Sequence, residues 1–402
     1  MNQPRHASRI QRIKQSPSGA AADRAQELKR QGRDIINLVV GEPDFDTPAH
    51  ICAAAVVAIQ RGETRYPHNS GTPALRQAIA RKLLRENGVQ YAESEIIVTH
   101  GAKSAVFLAL AATLNPGDEV IVPAPYWVSY PDMVLANDGV PVMVPCPQEA
   151  GFKLTPEQLR AAITPRTRWV LINSPSNPTG ACYTALEYQA LAQVLLDHPQ
   201  VCVMTDEIYE HIRYEDQRNP NIVAVEPRLR ERTLIINGVS KSYAMTGWRI
   251  GFVAGPADLI KAVSIIKSQA AGTTCSISQA AAVAAYEGDQ GFLGASRTVY
   301  RQRRDLALAR IGAIDGLDCL APAGAFYLYV NCAGLLGKRT PDGTVLEDDN
   351  AVVMYLLEAA NVALVPGAAY GLSPYFRASI ATAIETLDEG LGRIAKAVKQ
   401  LR

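Results

Sequence analysis

The sequence predicts an α/β protein whose large domain is a mainly parallel, seven-stranded sheet covered by helices. Between about residues 95 and 255, short apolar runs alternate with segments of helical spacing. The chain of 402 residues is long enough for two or three domains, and its 48% hydrophobic content is that of a folded protein. Continuous apolar runs of this kind are typical of strands that are buried on both faces of a sheet.

Seven runs are predicted to form the strands of this sheet. In chain order they cover residues 95–99, 119–123, 140–145, 168–173, 201–206, 233–237 and 249–254. Helical spacing recurs between them at 102–114, 127–137, 155–163 and 184–197. We expect Thr155 and Thr184 to cap the last two of these helices, because a hydroxyl oxygen at that position accepts a free backbone N–H.

The rest of the chain predicts a second, smaller α+β domain. Residues 297–311 form a charged helical pattern, AFYLYV and FRASIA are short strand patterns, and the chain ends in an amphipathic helix. The first forty-odd residues carry a helical pattern at 20–31 and the run IINLVV, and we expect them to pack with this second domain. The predicted division is a large domain over 48–290 and a small domain over 1–47 and 291–402.

Composition and charge argue against several classes of protein. Forty Lys and Arg against 39 Asp and Glu give a net charge of +1 without a basic block, which disfavours nucleic-acid binding. Pro and Gly interrupt the charge-free stretches 319–337 and 359–376, which disfavours a membrane-spanning helix. The polar N-terminus lacks a secretory signal, so we expect a cytoplasmic protein. Scattered Cys and His give a metal site no support.

Polar residues follow four of the predicted strands. Ligands of open α/β sheets bind beyond the carboxyl ends of the strands, so these residues are expected to share one crevice. They are His100-Gly101-Ala102-Lys103, the turn 174–180, Asp206-Glu207-Ile208-Tyr209 and Gly238-Val239-Ser240-Lys241. The charged cluster of Arg301, Arg303, Arg304 and Asp305 is instead interpreted as a solvated helix face without a function.

This crevice would suit an anionic aromatic cofactor that carries an aldehyde. Gly101 at a helix N-terminus, with Ser240 and Arg249, is suited to a phosphate. Asp206 could hold a protonated ring nitrogen, and Lys241 is an amine nucleophile. Groups suited to the ring and its oxygen are Asn177, Tyr209 and Trp127. Together these residue types indicate pyridoxal 5'-phosphate.

Eight segments make the sequence resemble a known family. They are GEPDFDTP (41–48), Tyr66 before Asn69-Ser70-Gly71, PYWVSYP (125–131), NSPSNPTG (173–180), DEIYE (206–210), SKSYAMTGWRIG (240–251), GAFY (324–327) and FRAS (376–379). In this order they resemble the class I aminotransferases of fold type I, a family of pyridoxal-phosphate enzymes. The similarity covers nearly the whole chain and is closest to the bacterial aspartate aminotransferase branch, which includes prephenate and aromatic aminotransferases.

The resemblance implies a role for each cofactor-binding position. Lys241 would bind the cofactor and later move a proton between the substrate Cα and the cofactor, and with Asp206 and Tyr209 it would form the catalytic set. Asp206 would keep the ring nitrogen protonated, while Asn177 and Tyr209 would bind the ring oxygen and Trp127 would stack on the ring. The phosphate would be held by Gly101, Ala102, Lys103, Ser240 and Arg249, and also by Tyr66 of a neighbouring subunit, which implies a homodimer with shared active sites.

The resemblance also implies amino acids and 2-oxo acids as substrates. Arg377 would bind the α-carboxylate, for which a planar guanidinium is better suited than lysine. The backbone of Gly41 would assist, and Trp127 and Asn177 would also border the substrate. Lys103 and Ser18 would recognise a side-chain carboxylate, which favours aspartate and glutamate with 2-oxoglutarate as acceptor.

Two departures from that branch leave the substrate open. The sequence has Gly-Ala-Lys-Ser at 101–104 where that branch commonly has Gly-Gly-Lys-Gln, and Gly238 stands where some relatives have a phosphate-binding serine. Aromatic amino acids, prephenate, alanine and branched-chain substrates therefore remain alternatives. A β-eliminating lyase would use the same Lys241, Asp206 and Arg377, although a cation such as Lys103 in the pocket disfavours it.

Overall fold

The computed structural model of the chain describes residues 6–14, 17–215 and 218–402. Across those residues, seven strands form one mixed sheet, as the sequence predicts. They are β2 (Ile96–Thr99), β3 (Glu119–Ala124), β4 (Val140–Pro145), β5 (Thr167–Asn173), β6 (Cys202–Asp206), β7 (Thr233–Gly238) and β8 (Gly251–Ala254). Their order is β2-β8-β7-β6-β5-β3-β4, with β8 antiparallel to both neighbours and the other pairs parallel.

Smaller sheets are built from the two ends of the chain. β9 (Asp318–Cys319), β10 (Tyr327–Asn331), β12 (Val365–Pro366) and β13 (Tyr375–Ser379) form an antiparallel sheet in the order β12-β13-β10-β9. β1 (Ile36–Asn37) pairs in parallel with β11 (Val362–Ala363). The run IINLVV therefore lies beside the C-terminal part of the chain, as expected.

Helices accompany the large sheet and the two smaller sheets. The large sheet is accompanied by α2 (Ala49–Gln60), α3 (Pro73–Lys82), α4 (Ala102–Thr113), α5 (Tyr130–Ala136), α6 (Pro156–Ala162), α7 (Ala185–Leu196), α8 (Ile222–Val225), α9 (Ala257–Ala270) and α10 (Ser276–Glu287). The smaller sheets are accompanied by α1 (Pro17–Arg30), α11 (Gly291–Gly312), α12 (Asp349–Ala360) and α13 (Ile384–Val398). Thr155 and Thr184 cap α6 and α7 by accepting the backbone N–H groups of Gln158 and Glu187, which confirms both predicted caps.

The central strands of the large sheet bury side chains on both faces. Val120 and Val122 of β3 face one apolar layer, and Ile121 between them faces the other. Leu171 of β5 likewise joins the first layer, and Ile172 joins the second. Since fully burying one such aliphatic side chain contributes about 1.5–3 kcal/mol, this two-sided packing fixes the strand register and hence the positions of the strand ends.

The prediction of two buried faces is wrong for β4. Val140 and Met143 of this strand are exposed, Met143 to 51%. β4 lies at the edge of the sheet, where it has a neighbour on one side and where Pro141 and Pro145 lack the N–H that further pairing would need. An apolar run alone does not distinguish such an edge strand from a central one.

The interpretation of the arginine cluster as a solvated face is wrong for Arg303. This side chain is buried, and its two terminal nitrogens donate to the two carboxylate oxygens of Asp44 at 2.7 Å each. The buried positions of α11 include Tyr300, Arg303 and Ala307, which are spaced three and four residues apart. Helical spacing therefore places Arg303 on the buried stripe, where it fixes the 41–48 segment to α11.

Within the described residues, no helix combines the length and the apolar composition that crossing a membrane requires.

Candidate active site

A cavity of about 470 Å³ lies where the carboxyl ends of β5, β6 and β7 face β10 and β13. Most of the predicted site residues line it: Gly41, Ala102, Lys103, Trp127, Asn177, Asp206, Tyr209, Ser240, Lys241, Arg249 and Arg377. These residues come from both sheets and from the segment between β1 and α2. The structure therefore brings together side chains that are more than 300 residues apart in the sequence.

Lys241 follows β7 and is partly buried. Its Nζ donates a hydrogen bond of 2.6 Å to the carbonyl oxygen of Gly41. Burial lowers the pKa of Lys241 to about 8, and the nearby carboxylate of Glu42 opposes that shift. A larger fraction of this amine is therefore neutral near pH 7 than for an ordinary lysine, and the neutral form is the nucleophile.

Asp206 ends β6 and is buried at the cavity wall. Its Oδ2 accepts the hydroxyl of Tyr130 at 2.7 Å, and its Oδ1 accepts the backbone N–H of Ile208 at 3.2 Å. Burial raises the pKa of Asp206, while these hydrogen bonds and the charge of Lys241 act in the opposite direction. The carboxylate is thus poised to pair with a cation that enters the cavity.

The turn after β5 is held against the end of β6. Asn173 donates through Nδ2 to the carbonyl oxygen of Asp206 at 2.9 Å and accepts the backbone N–H of Asn177 at 2.8 Å. The first bond follows from the sheet register, in which Asn173 lies opposite Asp206. This arrangement fixes the side chain of Asn177 in the cavity.

Tyr209 shares a hydrogen bond with Tyr327. Their hydroxyl oxygens are 2.9 Å apart, and burial together with this neighbour raises the pKa of Tyr209 well above its ordinary value. Tyr209 is therefore neutral at physiological pH and can donate to an oxygen in the cavity while it accepts from Tyr327. Tyr327 ends the GAFY motif and is the first residue of β10. Gly324, which begins the motif, pairs with Arg213 in an isolated antiparallel bridge.

A cup suited to an anion lies at the start of α4. Gly101 precedes this helix with φ at 84°, and no side chain among the described residues caps the helix. A Cβ on Gly101 would lie 2.4 Å from Nη2 of Arg249, and a Cβ on Gly251 would lie 2.5 Å from the backbone nitrogen of Ala102. Glycine at both positions lets Arg249 and the helix N-terminus approach the same point, as a phosphate group requires.

Arg377 of β13 is buried among carbonyl, amide and aromatic groups. Nη1 donates to Oδ1 of Asn177 at 3.1 Å, and Nη2 donates to the carbonyl oxygen of Val39. Its guanidinium lies 4.4 Å from the ring centroid of Tyr327. Nε has no hydrogen-bond partner among the residues that the structure describes, so a buried donor is left for a ligand to satisfy.

Lys103 and Trp127 line the cavity together. The Nζ of Lys103 lies 5.3 Å from the ring centroid of Trp127, within the range of a cation–π contact. Burial, together with the positive charge of Arg249, lowers the pKa of Lys103. Trp127 precedes α5, which begins at Tyr130 rather than at the predicted position 127, so the indole lies in a loop at the strand end.

Three predicted residues do not line this cavity: Gly101, which directly precedes the lining residue Ala102, Tyr66 and Ser18. Tyr66 is 94% exposed and borders a separate surface depression with Thr64, Pro67 and residues 273–277. Ser18 lies in the first turn of α1, two residues before the predicted start of that helix at residue 20, and its side chain is outside the described residues.

Sequence reasoning missed several side chains of the cavity. Tyr130 and Tyr327 stood inside the quoted motifs PYWVSYP and GAFY without an assigned role, and Asn173 opened NSPSNPTG. Thr246 lies in SKSYAMTGWRIG, and its hydroxyl donates to Glu42 at 2.9 Å. Their membership of the motifs was the available signal, but their partners depend on the tertiary fold.

These residues fit pyridoxal 5'-phosphate. The glycine-lined cup with Arg249 suits the phosphate, the buried Asp206 suits the protonated ring nitrogen, and Lys241 supplies an amine in reach of the same cavity. The mixed seven-stranded sheet and this site define an enzyme of the pyridoxal-phosphate fold type I class.

Comparison with known proteins identifies the family. The model of the family described as aminotransferase class I and II matches residues 33–394, so the chain belongs to that family. It is 53% identical over 395 residues to an aspartate aminotransferase of Rhizobium meliloti, covering 98% of this chain and 96% of the relative. It is 52% identical over 385 residues to an aspartate/prephenate aminotransferase of Cereibacter sphaeroides, covering 96% of each.

A solved structure agrees with this assignment. The crystal structure of the aspartate aminotransferase from Rhizobium meliloti superimposes with a TM-score of 0.97 at 52% identity and covers 100% of both chains. The predicted fold type and cofactor are thereby confirmed, and this chain is a pyridoxal 5'-phosphate-dependent aminotransferase.

Proposed function

We propose that this aminotransferase moves an amino group between L-aspartate or L-glutamate and a 2-oxo acid such as 2-oxoglutarate, in two half-reactions that use one site in turn. The observation that carries the proposal is that Arg377 and Lys103 line the same cavity as Lys241. Each carboxylate of a dicarboxylic substrate can then pair with its own cation. The names of the relatives in Rhizobium meliloti and Cereibacter sphaeroides support the same class of substrate.

Arg377 binds the α-carboxylate in this proposal. Its guanidinium is oriented by Asn177 and Val39, and the buried, unpartnered Nε adds a donor for the substrate. Gly41 lines the same cavity, and a Cβ there would lie 3.0 Å from the Tyr327 hydroxyl, so the backbone itself can approach the carboxylate. Lys103 binds the side-chain carboxylate, and Ser18 in the first turn of α1 is proposed to add a hydroxyl donor.

Lys241 removes and returns the proton at the substrate Cα. When bound, pyridoxal 5'-phosphate supplies the aldehyde that accepts the amino group and a ring that withdraws electrons from Cα. Lys241 first binds the cofactor and then acts as a general base and acid, for which a pKa of about 8 is well matched to neutral pH.

The other cavity residues hold the cofactor for this proton transfer. Asp206 would pair with the ring nitrogen, Asn177 and Tyr209 would donate to the ring oxygen, and Trp127 would contact the ring. The phosphate is bound by Ser240, Arg249 and the backbone of Gly101, Ala102 and Lys103. The hydrogen bonds that Asp206 and Tyr209 make to Tyr130 and Tyr327 support these assignments, since they fix both side chains before the cofactor arrives.

We also propose that the two parts of the chain close over the substrate. Residues 1–47 and 291–402 form the small domain and contribute Gly41, Tyr327 and Arg377, whereas residues 48–290 contribute the cofactor-binding groups. Closure would exclude water from the reacting carbon.

The enzyme is proposed to be a homodimer with shared active sites. The exposure of Tyr66 supports this assignment, because a tyrosine that is 94% exposed in one chain is free to reach the phosphate of a partner. The test is to mix two homodimers at limiting cofactor, one carrying Lys241→Ala and the other Tyr66→Ala. In a shared site, the hybrid has one intact site and activity returns on mixing; no recovery after verified subunit exchange contradicts sharing.

The proposed location is the cytoplasm. All seven cysteines are free, with Cys146, Cys182, Cys202 and Cys332 buried as thiols. A chain with this many unpaired thiols is suited to a reducing compartment.

The experiment that tests the function is an absorbance titration of the purified holoenzyme with single amino acids and without any oxo acid. Aspartate and glutamate should convert the band of the lysine-bound cofactor to that of the aminated form, and Lys241→Ala should abolish the initial band and nearly all turnover. Conversion chiefly by phenylalanine or tyrosine would place the enzyme in the aromatic branch. Release of ammonia without the aminated form would identify a β-eliminating lyase.

Prephenate is the second candidate substrate, because the Cereibacter sphaeroides relative is named for it. Its side chain carries a carboxylate on the ring carbon next to the CH₂ group, and Lys103 could also bind this carboxylate. Reaction of the aminated enzyme with prephenate and with oxaloacetate, followed in parallel, compares the two acceptors directly.

A further inference from the structure

A buried polar cluster lies behind the residues that face the cofactor site. Asp206 and Tyr209 line the cavity, whereas Glu207 and Glu210 of the same segment are buried against the end of α3 and the turn that follows it. The cluster contains Lys82, Asn87, Glu207, Glu210, Asn221 and Asn237, all of them buried. None of these side chains has a role in the proposed reaction.

Glu210 is the acceptor at the centre of this cluster. Its Oε1 accepts from Nζ of Lys82 and from Nδ2 of Asn237, the latter at 2.6 Å. Its Oε2 accepts from Nδ2 of Asn87 at 2.8 Å. Three donors from two segments of the chain, the end of α3 with the turn after it and β7, therefore converge on one carboxylate.

Asn237 carries this link to the segment that contains Lys241. It belongs to β7, and its Oδ1 accepts the backbone N–H of Gly238 at 2.7 Å. The chain then turns directly into Ser240 and Lys241. A single chain of hydrogen bonds thus connects the Asp206–Tyr209 segment, through Glu210 and Asn237, to the turn that presents Lys241.

The charges in this cluster are balanced by Lys82. Burial and the neighbouring Glu210 raise the pKa of Glu207 to about 8, so Glu207 is protonated at neutral pH. Burial also raises the pKa of Glu210, but Lys82 and His211 more than offset that effect and hold it below the ordinary value. A charged Glu210 paired with Lys82 is the result.

Lys82 lies next to a group of side chains that could otherwise bind a metal ion. One ligand atom each from Glu86, Glu210 and His211 lies within 4.8 Å of the others among the described residues. The ammonium of Lys82 is bonded to Glu210 and lies 3.6 Å from Glu86, so it already provides the positive charge at this position.

We propose that Glu210 is a positioning residue of the active site, which sets the spacing between the Asp206–Tyr209 segment and the Lys241 turn by accepting from Lys82, Asn87 and Asn237. This inference rests on the roles proposed above for Asp206, Tyr209 and Lys241. It assigns a function in cofactor alignment to a carboxylate that touches neither cofactor nor substrate.

Glu210→Gln is the direct test because it preserves the shape of the side chain. A glutamine has one acceptor oxygen, so its NH₂ group faces a donor from Lys82, Asn87 or Asn237 whichever way the amide is turned. Asn237→Ala cuts the same link without changing any charge and keeps the test decisive if Glu210→Gln does not fold. The double variant completes a mutant cycle.

Two matched controls separate positioning from stability. Glu119 is another buried carboxylate with several donors, at the opposite end of the large sheet, so Glu119→Gln removes a comparable network away from the site. Asn221 donates to Glu207 at 2.7 Å and is not joined to β7, so Asn221→Ala matches Asn237→Ala. Both controls should lower the unfolding temperature and leave the site unchanged.

The measurements are made on each purified holoenzyme. Glu210→Gln and Asn237→Ala should shift the pKa of the absorbance band of the lysine-bound cofactor by about half a unit or more and lower kcat about ten- to hundredfold, with KM changed less than about twofold. The double variant should lose less than the sum of the two single variants, because both substitutions disturb the contact between Glu210 and Asn237. Band titrations and kcat values like those of wild type, or additive effects in the double variant, would overturn the proposal.

Failure of the proposed function is distinguishable from failure of this inference. If the function were wrong, the wild-type holoenzyme itself would lack the band or the amino-group transfer. If the positioning role were wrong, the wild type would behave as proposed and the variants would differ from it in unfolding temperature alone.

Discussion

Nη1 of Arg377 donates a hydrogen bond of 3.1 Å to Oδ1 of Asn177, and this bond joins β13 of the small sheet to the turn that follows β5 of the large sheet. Arg377 is predicted to bind the substrate, and Asn177 is predicted to bind the cofactor ring and also to border the substrate. Their contact means that the guanidinium is already oriented by a cofactor-binding side chain before a substrate enters. Arg377 and Asn177 therefore act as a unit, which makes the site sensitive to the shape of the arginine as well as to its charge.

The first prediction is that Arg377→Lys lowers kcat/KM for every amino-acid substrate to a similar extent. Lysine keeps the charge but loses the planar fork that contacts Asn177 and Val39, and one charged hydrogen bond contributes about 1.5–3 kcal/mol. We expect kcat/KM to fall about 10- to 100-fold for aspartate, glutamate, alanine and phenylalanine alike. A loss confined to one side-chain class would mean that Arg377 recognises the side chain instead.

The second prediction is that Lys103→Ala lowers kcat/KM for dicarboxylic substrates more than for other amino acids. Lys103 lines the cavity beside Trp127 and is proposed to bind the distal carboxylate. Removing it should lower kcat/KM for aspartate and glutamate about 10- to 100-fold. The values of kcat/KM for alanine and phenylalanine should change by less than about threefold. Because Lys103 lies at the start of α4, the cofactor dissociation constant is measured in parallel, and an equal loss for all four substrates would point to damage at the phosphate cup.

The third prediction concerns Tyr130→Phe. The Tyr130 hydroxyl donates to Asp206 at 2.7 Å and opposes the rise in the pKa of Asp206 that burial causes. Without this bond the carboxyl pKa rises further, and its pairing with the ring nitrogen weakens. We expect kcat to fall about tenfold, the pKa of the cofactor band to change, and the unfolding temperature of the apoenzyme to change little.

Ser129→Ala is the control for this substitution. Ser129 also lines the cavity, and its side chain does not cap α5. Turnover of Tyr130→Phe equal to that of wild type would show that Asp206 needs no support from the tyrosine.

The sequence predicts the large sheet well because its signals are local. Four strands end in polar motifs, and the carboxyl ends of parallel strands meet at one edge, so Asp206, Asn177 and Lys241 could be placed together without coordinates. The chemistry of those side chains then indicated the cofactor. Each of these inferences depends on residues that are close in the chain or on a general property of α/β sheets.

The missed features depend on partners that are distant in the sequence. The burial of Arg303 is decided by Asp44, the role of Tyr327 by Tyr209, and the exposure of β4 by its place at the sheet edge. Pattern analysis shows that Arg303 belongs to a charged helix but not that Asp44 faces it. The support behind the site, from Tyr130 to Glu210, is therefore visible only once the fold brings these residues together.

The fourth prediction is that the reaction of the apoenzyme with pyridoxal 5'-phosphate becomes independent of pH above about pH 8. Burial lowers the pKa of Lys241 from 10.5 to about 8, and only the neutral amine attacks the aldehyde, so the rate should rise between pH 7 and 8 and then level off. For an ordinary lysine, the rate would keep rising until about pH 10.4.

The measurement is the growth of the lysine-bound absorbance band after rapid mixing, at constant ionic strength. Glu42→Gln supplies the matched variant, because Glu42 raises the pKa of Lys241 and its neutralisation should move the bend to lower pH. A rate that still climbs beyond pH 9 in the wild type would contradict the assignment of a lowered pKa to this amine.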